Sequence, residues 1–188
     1  MGDIFVKTYK QLPYNNREIL RYAGVINVTE EITDLMQECI KEAEQVLSYK
    51  VCYGIFDYNG ESVSRSLSKN LSGCKRVILF AATVGIGLDR LIMRYGKISP
   101  SKALMLQALG AERIESLCDA FCDDMGRELN ARLKPRFSAG YGDLPLEVQK
   151  DIFRVLDCPK KIGLTLNDSL LMSPTKSVTA IVGIENEF

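Results

Sequence analysis

The sequence predicts a single α+β domain. Short apolar segments rich in β-branched residues, such as residues 76–82, alternate with longer stretches whose apolar residues recur at helical spacing, such as residues 29–48. The 188 residues are 46% hydrophobic, which is enough for one sizeable core, and no linker, repeat or low-complexity segment divides the chain. We therefore expect residues 1–188 to form one domain, in which residues 1–48 could be a helical N-terminal appendage.

The first half of the chain is predicted to begin with two helices, residues 15–22 and 29–48. Thr29 fits the N-cap position of the second helix, because acidic residues fill the first turn that follows it. The apolar face of this helix comprises Ile32, Leu35, Met36, Cys39 and Ile40. The next elements are a strand at 50–56, a turn at 57–60, a short helix at 66–71 and a buried strand at 76–82.

The second half is predicted to be mainly helical until a β-rich tail. A helix covers residues 88–95, and Ser99 and Pro100 then open a long helix that runs to about Leu133. Residues 136–143 contain too many glycines for a helix and are predicted to form an extended loop. A helix at 144–156 follows, and the tail has strand-like segments at 162–166, 169–172 and 177–184.

Composition argues against several classes of partner. The 24 basic and 24 acidic side chains balance, and no basic run contains interleaved aromatic residues, so binding to nucleic acid is not expected. The longest apolar run, residues 77–82, is far shorter than the roughly 20 residues of a membrane-spanning helix. Because the N-terminus lacks a signal-peptide pattern and the six cysteines lack framework spacing, we expect a cytoplasmic protein with reduced thiols.

The chain contains no histidine. This absence excludes Ser-His-Asp and Cys-His nucleophile systems within the chain, and it excludes a zinc site with histidine ligands. We therefore predict no catalytic residue and no metal site. Any chemistry has to depend on charged side chains, tyrosines, backbone groups or a cofactor.

Two further patterns have a structural and a functional interpretation. Residues 83–87 form a glycine-rich turn between a strand and a helix, but they lack the third glycine of the dinucleotide fingerprint and the Gly-Lys-Ser/Thr of a phosphate loop. A tight structural turn is therefore favoured over a ligand-binding edge. Cys118 and Cys122 share a helix face and could begin a metal site, but apolar packing is the favoured interpretation.

Glu115 stands out among the acidic residues of the long helix. Such acidic stripes are usually solvated, and this one comprises Glu112, Glu115, Asp119 and Asp123. Glu115, however, adjoins the predicted buried face at Ile114 and Cys118, where a carboxylate needs a partner. A cationic ligand could be that partner.

Residues 136–142, with the sequence Arg-Phe-Ser-Ala-Gly-Tyr-Gly, form the most unusual segment. The Arg136 guanidinium can bind a carboxylate through two hydrogen bonds, and glycines allow the backbone to approach a ligand closely. Tyr141 between them adds an aromatic ring and a hydroxyl group. From the residues alone, a surface loop and a ligand-binding loop remain equally open.

Four motifs together resemble the activation domain of cobalamin-dependent methionine synthase. Residues 136–142 match its Arg-x-x-x-Gly-Tyr signature, and residues 162–174 look like its Thr-Gly-x-x-Leu-Thr-Glu-Ser segment followed by its Ala-Met-x-Pro turn. Residues 80–87 are similar to its Phe-Ala-x-Thr segment, and residues 108–115 match the helix with its ligand-binding glutamate. The resemblance covers about residues 75–184; one departure is Ser173, where the family has an aromatic residue.

The resemblance implies a twisted antiparallel sheet with flanking helices and a shallow groove for S-adenosylmethionine. By position, Arg136 is implied to hold the ligand carboxylate and Glu115 a polar or cationic part of the ligand. Tyr141 is implied to line the site, and the backbone of Ser138, Ala139 and Gly140 to meet the adenine or ribose. The turn formed by Met172, Ser173 and Pro174 is implied to face the corrin of the partner.

The resemblance also implies a function: supporting the reductive methylation of cob(II)alamin on a separate cobalamin-dependent methionine synthase. The cobalamin is carried by that partner, and a flavodoxin-like protein could donate the electron. Two alternatives remain open. The chain could serve as reactivator or ligand sensor of another corrinoid methyltransferase, or it could be a non-catalytic interaction module with the same fold.

Overall fold

A computed structural model describes residues 3–185 and contains a five-stranded antiparallel sheet. The strand order is β1-β2-β3-β7-β4, so the last long strand lies between β3 and the short edge strand β4. The strands are β1 (Phe5–Tyr9), β2 (Tyr49–Asp57), β3 (Arg76–Thr83), β4 (Arg132–Leu133) and β7 (Ser177–Glu185). A separate two-stranded sheet joins β5 (Thr165–Leu166) to β6 (Met172–Ser173).

Helices cover both faces of the large sheet. One layer contains α1 (Asn16–Tyr22), α2 (Glu30–Glu44), α4 (Ile86–Gly96) and α5 (Pro100–Glu128). The opposite layer contains α3 (Arg65–Asn70), α6 (Val148–Leu156) and α7 (Cys158–Ile162). The predicted α+β class with an antiparallel sheet and flanking helices is confirmed.

Alternation along the central strands produces the two cores. Ile78 and Phe80 of β3 pack in the core beneath α5, whereas Val77 and Ala81 of the same strand pack against α6 and α7. Successive strand residues point to opposite faces, so a strand that is buried on both sides reads as a continuous apolar run. This is why residues 76–82 were recognisable as a buried strand.

Residues 3–48 form part of the same core. Strand β1 pairs with β2 along its whole length, and the fully buried Arg113 of α5 donates hydrogen bonds to the carbonyl oxygens of Leu12 and Pro13 at 3.0 and 2.6 Å. Glu112 binds Arg113 at 2.6 Å and accepts the N–H of Asn15 at 3.2 Å. Residues 3–48 are therefore not a separate helical appendage, as was considered above. They supply an edge strand and two helices that pack in the core.

The expected end of the long helix was wrong. Helix α5 begins at Pro100 as predicted, although Ser99 makes no side-chain capping bond, but it ends at Glu128 instead of Leu133. Asn130 adopts a left-handed conformation with φ of 47°, which stops the helix. Arg132 and Leu133 then pair with the edge of β7 as strand β4.

The predicted tail is only partly correct. The strand expected at 177–184 is confirmed as β7, but residues 158–162 form helix α7, which ends at Gly163 with φ of 70°. The strands expected at 162–166 and 169–172 shrink to the two-residue strands β5 and β6, because Leu170 turns the chain with φ of 63°. Helix α2 ends four residues earlier than expected and α6 begins four residues later.

Within residues 3–185, no helix combines the length and the apolar character needed to cross a membrane.

Candidate functional site

The loop that follows β4 is fixed to the large sheet by Phe137. The backbone N–H and C=O of Phe137 exchange hydrogen bonds with Ile181 of β7 at 2.9 and 2.8 Å. The Phe137 side chain is buried in the core beneath α6. This attachment holds the preceding residue, Arg136, beside α5.

Arg136 binds two carboxylates of α5. Its Nη2 donates to Glu115 at 2.7 Å and its Nη1 donates to Asp119 at 2.5 Å. The guanidinium is the least accessible of the three groups: 24% of the Arg136 side chain is exposed, against 45% for Glu115 and 69% for Asp119. Burial lowers the pKa of Arg136, but neighbouring acidic groups raise that pKa more, so its net pKa lies above the ordinary value.

The structure thus brings together two of the predicted site residues, Glu115 and Arg136, which are 21 positions apart in the sequence. The sequence indicates Asp119 only as a member of the acidic stripe. Its spacing of four residues from Glu115 places the two carboxylates one above the other on the helix, and this spacing was the available signal. The ligand-binding roles of these residues remain predictions.

The other predicted loop residues lie at the tip of the loop, where Gly140 and Tyr141 are exposed and Ser138 and Ala139 are half-buried. Gly140 has a φ of 84°, and its N–H donates to the Leu144 carbonyl at 2.9 Å. The N–H of Tyr141 donates to the Ser138 carbonyl at 3.2 Å, while Ala139 makes no backbone hydrogen bond within the described residues. Tyr141 is 69% exposed as a residue, and its ring packs edge-on against that of Phe137, with ring centres 5.3 Å apart.

Asp143 fixes the far end of the loop and was not predicted. Its carboxylate accepts hydrogen bonds from the Ser64 hydroxyl at 2.5 Å, the Arg65 N–H at 2.8 Å and the Ser66 N–H at 3.0 Å. These bonds, the one from Ser64 first, hold the pKa of Asp143 below its usual range. The partners precede Asp143 by almost 80 residues, so no local pattern could have revealed the contact.

A groove of about 720 Å³ lies beside the ion cluster. It runs along the last turns of α5 and residues 130–136, and its lining includes Asp119 and Arg136. Ser138 to Tyr141 and Glu115 do not line it. Two of the groove's basic residues, Arg132 and Lys134, form ion pairs with Glu185.

The turn expected to face a corrin lies at the other end of β7. Pro174 is buried, Met172 is half-buried against the core beneath α6, and Ser173 is exposed. Asp89 of α4 accepts the Thr175 N–H at 2.9 Å and thereby holds the turn in place. Phe137 lies opposite Ile181 of β7, and Ile181 is four residues from Ser177 at the start of the strand, a separation of roughly 13 Å.

The glycine-rich turn is explained by packing. A Cβ atom on Gly87 would lie 2.4 Å from the carbonyl oxygen of Val46, and Gly85 has a φ of 90°. Both positions therefore require glycine whether or not a ligand binds, which supports the predicted tight structural turn. Gly85, Gly87 and Pro174 also border a cavity of about 310 Å³.

The cysteine pair of α5 also has a packing environment. Cys118 is fully buried in the core, and burial raises the pKa of its thiol. Within the described part of the chain, no three side chains of the metal-binding types lie close enough to share an ion.

No family model matches the chain, and no curated protein matches it in sequence. Among solved structures, the chain is similar to the MetH reactivation domain bound to AdoHcy. The two share 14% sequence identity and superpose with a TM-score of 0.68, over 100% of this chain and 80% of the other. The resemblance that the four motifs suggested is therefore confirmed at the level of the fold.

Proposed function

We propose that this chain binds S-adenosylmethionine and supports the reductive methylation of cob(II)alamin on a separate cobalamin-dependent methionine synthase. The observation that carries the proposal is the match of the whole chain to a reactivation domain that was solved with AdoHcy bound. The ion cluster of Arg136, Glu115 and Asp119 supports it, since it provides charged groups that suit a zwitterionic ligand.

Arg136 has hydrogen-bonding capacity for the ligand carboxylate. A guanidinium has five N–H donors, and the bonds to Glu115 and Asp119 use one each. The remaining donors could bind a carboxylate, which is the planar partner that suits this group best. The half-exposed carboxylate of Glu115 could accept from the ligand ammonium group.

The loop tip would contribute the remaining contacts. The free peptide groups of Ala139 could meet the adenine or ribose, together with the backbone of Ser138 and Gly140. The exposed Tyr141 ring could line the site, and its edge contact with Phe137 limits its motion. The chain would thus bind and orient the ligand, which raises the effective concentration of the methyl group at the acceptor.

The partner would carry the cobalamin, whose cobalt accepts the methyl group, and a flavodoxin-like protein could supply the electron. On this chain the turn at residues 172–174 would face the corrin. Since Pro174 is buried, the exposed groups there would be Ser173 of the turn and Leu171, which precedes the turn and is 65% exposed. The same geometry would suit another corrinoid methyltransferase as the client.

Calorimetric titration with S-adenosylmethionine tests the binding half of the proposal. We expect wild-type chain to bind and Arg136→Ala to bind at least tenfold more weakly, because the variant loses a charged hydrogen-bonding partner of the ligand. Arg154→Ala is the control: Arg154, which is more exposed than Arg136, forms an ion pair with Asp151 on α6, and this variant should bind the ligand as wild type does. Absence of binding at millimolar ligand, or equal binding by all three proteins, would contradict the proposal.

A further inference from the structure

A further cavity lies between the end of α2, the start of β2 and the segment that joins β1 to α1. It has a volume of about 270 Å³ and shares no lining residue with the groove beside Arg136. Small-molecule sites have volumes of about 300–1,000 Å³, so a cavity at the lower end of this range suits a compact ligand.

The inner wall of this cavity is apolar and held in place. Leu12 and Tyr49 are buried, and Tyr14 and Leu47 are half-buried beside them. The fully buried Arg113 donates a hydrogen bond to the Leu12 carbonyl at 3.0 Å, and its guanidinium carbon lies 3.8 Å from the centre of the Tyr14 ring. A wall that is fixed before binding reduces the entropy cost of ordering it around a ligand.

Two tyrosine hydroxyl groups of the cavity are available to a ligand. Within residues 3–185, neither the Tyr14 nor the Tyr49 hydroxyl makes a hydrogen bond of ordinary distance and angle, and neither is enclosed, because the fully enclosed side-chain atoms without a partner belong to Tyr58 and Asn70. Burial raises the pKa of both hydroxyls, so at neutral pH each is protonated and can donate as well as accept. Tyr49 is only 6% exposed and lines the cavity, so a ligand there would give its hydroxyl a partner.

The rim of the cavity has one side chain of each charge. Lys10 and Glu44 both line it and are exposed, and neither forms an ion pair within the described residues. Behind the wall, the charge of Arg113 is matched by Glu112 at 2.6 Å. The cavity thus offers separate positive and negative groups without a net charge, which suits a zwitterion better than a simple cation or anion.

We propose that this cavity binds an α-amino acid with an apolar side chain. The ammonium group of the ligand binds Glu44 and the two tyrosine hydroxyls, and its carboxylate binds Lys10. The apolar side chain lies against Leu12 and Leu47. The inference does not rest on the proposed function, since the residues of this cavity and those of the ion cluster at Arg136 are different.

Calorimetric titration with L-leucine, L-methionine and L-phenylalanine tests the inference. We expect wild type to bind at least one of them, and Glu44→Gln to bind it about tenfold more weakly, because the ammonium group loses a charged partner. Tyr49→Phe, which removes only a hydroxyl group, should weaken binding about threefold. Glu31→Gln removes an exposed carboxylate near the start of the same helix and should bind as wild type does.

Two analogues of the bound amino acid test the recognition of a zwitterion. Its amide lacks the carboxylate, and the corresponding carboxylic acid lacks the ammonium group. Each should bind to wild type about tenfold more weakly than the amino acid, because each loses one charged contact. Equal binding by the amino acid and both analogues would overturn the inference.

The location of the site is tested with Arg136→Ala and with S-adenosylmethionine. The amino acid should bind to Arg136→Ala as it does to wild type, and saturating S-adenosylmethionine should not displace it. The inference is wrong if either change abolishes binding, if Glu44→Gln binds as wild type does, or if none of the three amino acids binds at millimolar concentration. None of these results decides whether S-adenosylmethionine binds at Arg136, so the proposed function stands or fails separately.

Discussion

At the residue scale, the glycine-rich turn at the start of α4 provides the sharpest contrast. Gly87 is in tight contact with the backbone of residue 46, whereas Gly96 at the end of the same helix has no atom within 4 Å of its would-be Cβ. At Gly87 a side chain would clash with the backbone, whereas at Gly96 glycine affects only the general stability of the helix. Substitutions at the two positions therefore distinguish these two roles of glycine.

We predict opposite effects for alanine at these two positions. Gly87→Ala should lower the free energy of unfolding by about 2–3 kcal/mol, since the new methyl group meets a carbonyl oxygen that cannot rotate away. Gly96→Ala should be neutral or stabilise the protein by about 0.5 kcal/mol, because alanine restricts the unfolded chain. Chemical denaturation measures both. A Gly87→Ala variant as stable as wild type would refute the packing explanation.

The residues of the candidate site differ in how far the sequence could reveal them. Arg136 and Tyr141 lie in a distinctive local pattern, and Glu115 adjoins an apolar helix face, so all three were predictable candidates. Asp143 was not, because its partners at residues 64–66 are brought to it only by the fold. Asp119 was visible as an acid, but its bond to Arg136 depends on how the loop attaches to β7.

At the element scale, charged groups attach the edge strand β1 to α5. Lys7 lies 3.0 Å from Asp124 and 2.5 Å from Glu128, and the Tyr9 hydroxyl donates to Asp124 at 2.8 Å. Burial raises the pKa of Asp124, but hydrogen bonds from Lys7, Tyr9 and Arg127 lower this pKa by more. The net effect lowers the pKa of Asp124 from 3.8 to about 2. The folded state therefore holds this carboxylate ionised more strongly than the unfolded state does.

The sign of this shift determines a pH dependence. The stabilisation is fully present above about pH 4 and is lost as the pH falls towards 2, since the unfolded chain then binds the proton first. Asp124→Asn should destabilise the protein at pH 7 by about 1 kcal/mol, a value reduced for partial exposure. Thermal unfolding from pH 7 to pH 2 should show the difference from wild type shrinking below pH 4.

The exposed Asp151→Asn serves as the control for this measurement and should match wild type across the range. A constant difference between Asp124→Asn and wild type down to pH 2 would contradict the proposed ionic attachment of β1.

Elements were predictable in proportion to their length and burial. The buried strand β3 and the helices α1, α2 and α5 have clear apolar patterns. Strand β1 was missed because none of its five residues is buried, and its less exposed positions are Lys7 and Tyr9, which do not form an aliphatic pattern. The two-residue strands β4, β5 and β6 are too short to carry any pattern, and they exist only because a partner strand is adjacent.

At the scale of the whole molecule, three of the four motifs that suggested the fold lie on or beside β7. Residues 80–83 lie on β3, which pairs with β7; Phe137 bridges to β7, and Pro174 lies three residues before the start of β7. Motifs that are far apart in the sequence thus belong to one region of the sheet. Their combination and order therefore indicated the fold, which no single motif did. The way in which residues 3–48 join the core was not predictable, because it involves contacts between distant positions, such as those of the buried Arg113 with the carbonyl oxygens of Leu12 and Pro13.

The same arrangement separates two surfaces along one strand. The ion cluster and groove lie near the middle and the end of β7, and the turn at residues 172–174 lies at its start. The proposed function requires a corrinoid partner to approach both surfaces, although β4, which lines the groove, pairs with the end of β7 and the turn precedes its start. An assay of cobalamin remethylation with a partner protein therefore tests both surfaces, whereas ligand binding tests only the first.

The most direct test is the rate at which a cobalamin-loaded methionine synthase lacking its own reactivation domain regains methylcobalamin from cob(II)alamin. The assay contains S-adenosylmethionine and a reduced flavodoxin, and the cobalamin absorbance is the readout. We predict that wild type accelerates the reaction, that Arg154→Ala does so equally, and that Arg136→Ala does not. No acceleration by wild type, or acceleration only with a different corrinoid methyltransferase, would contradict the proposed role in reactivating methionine synthase.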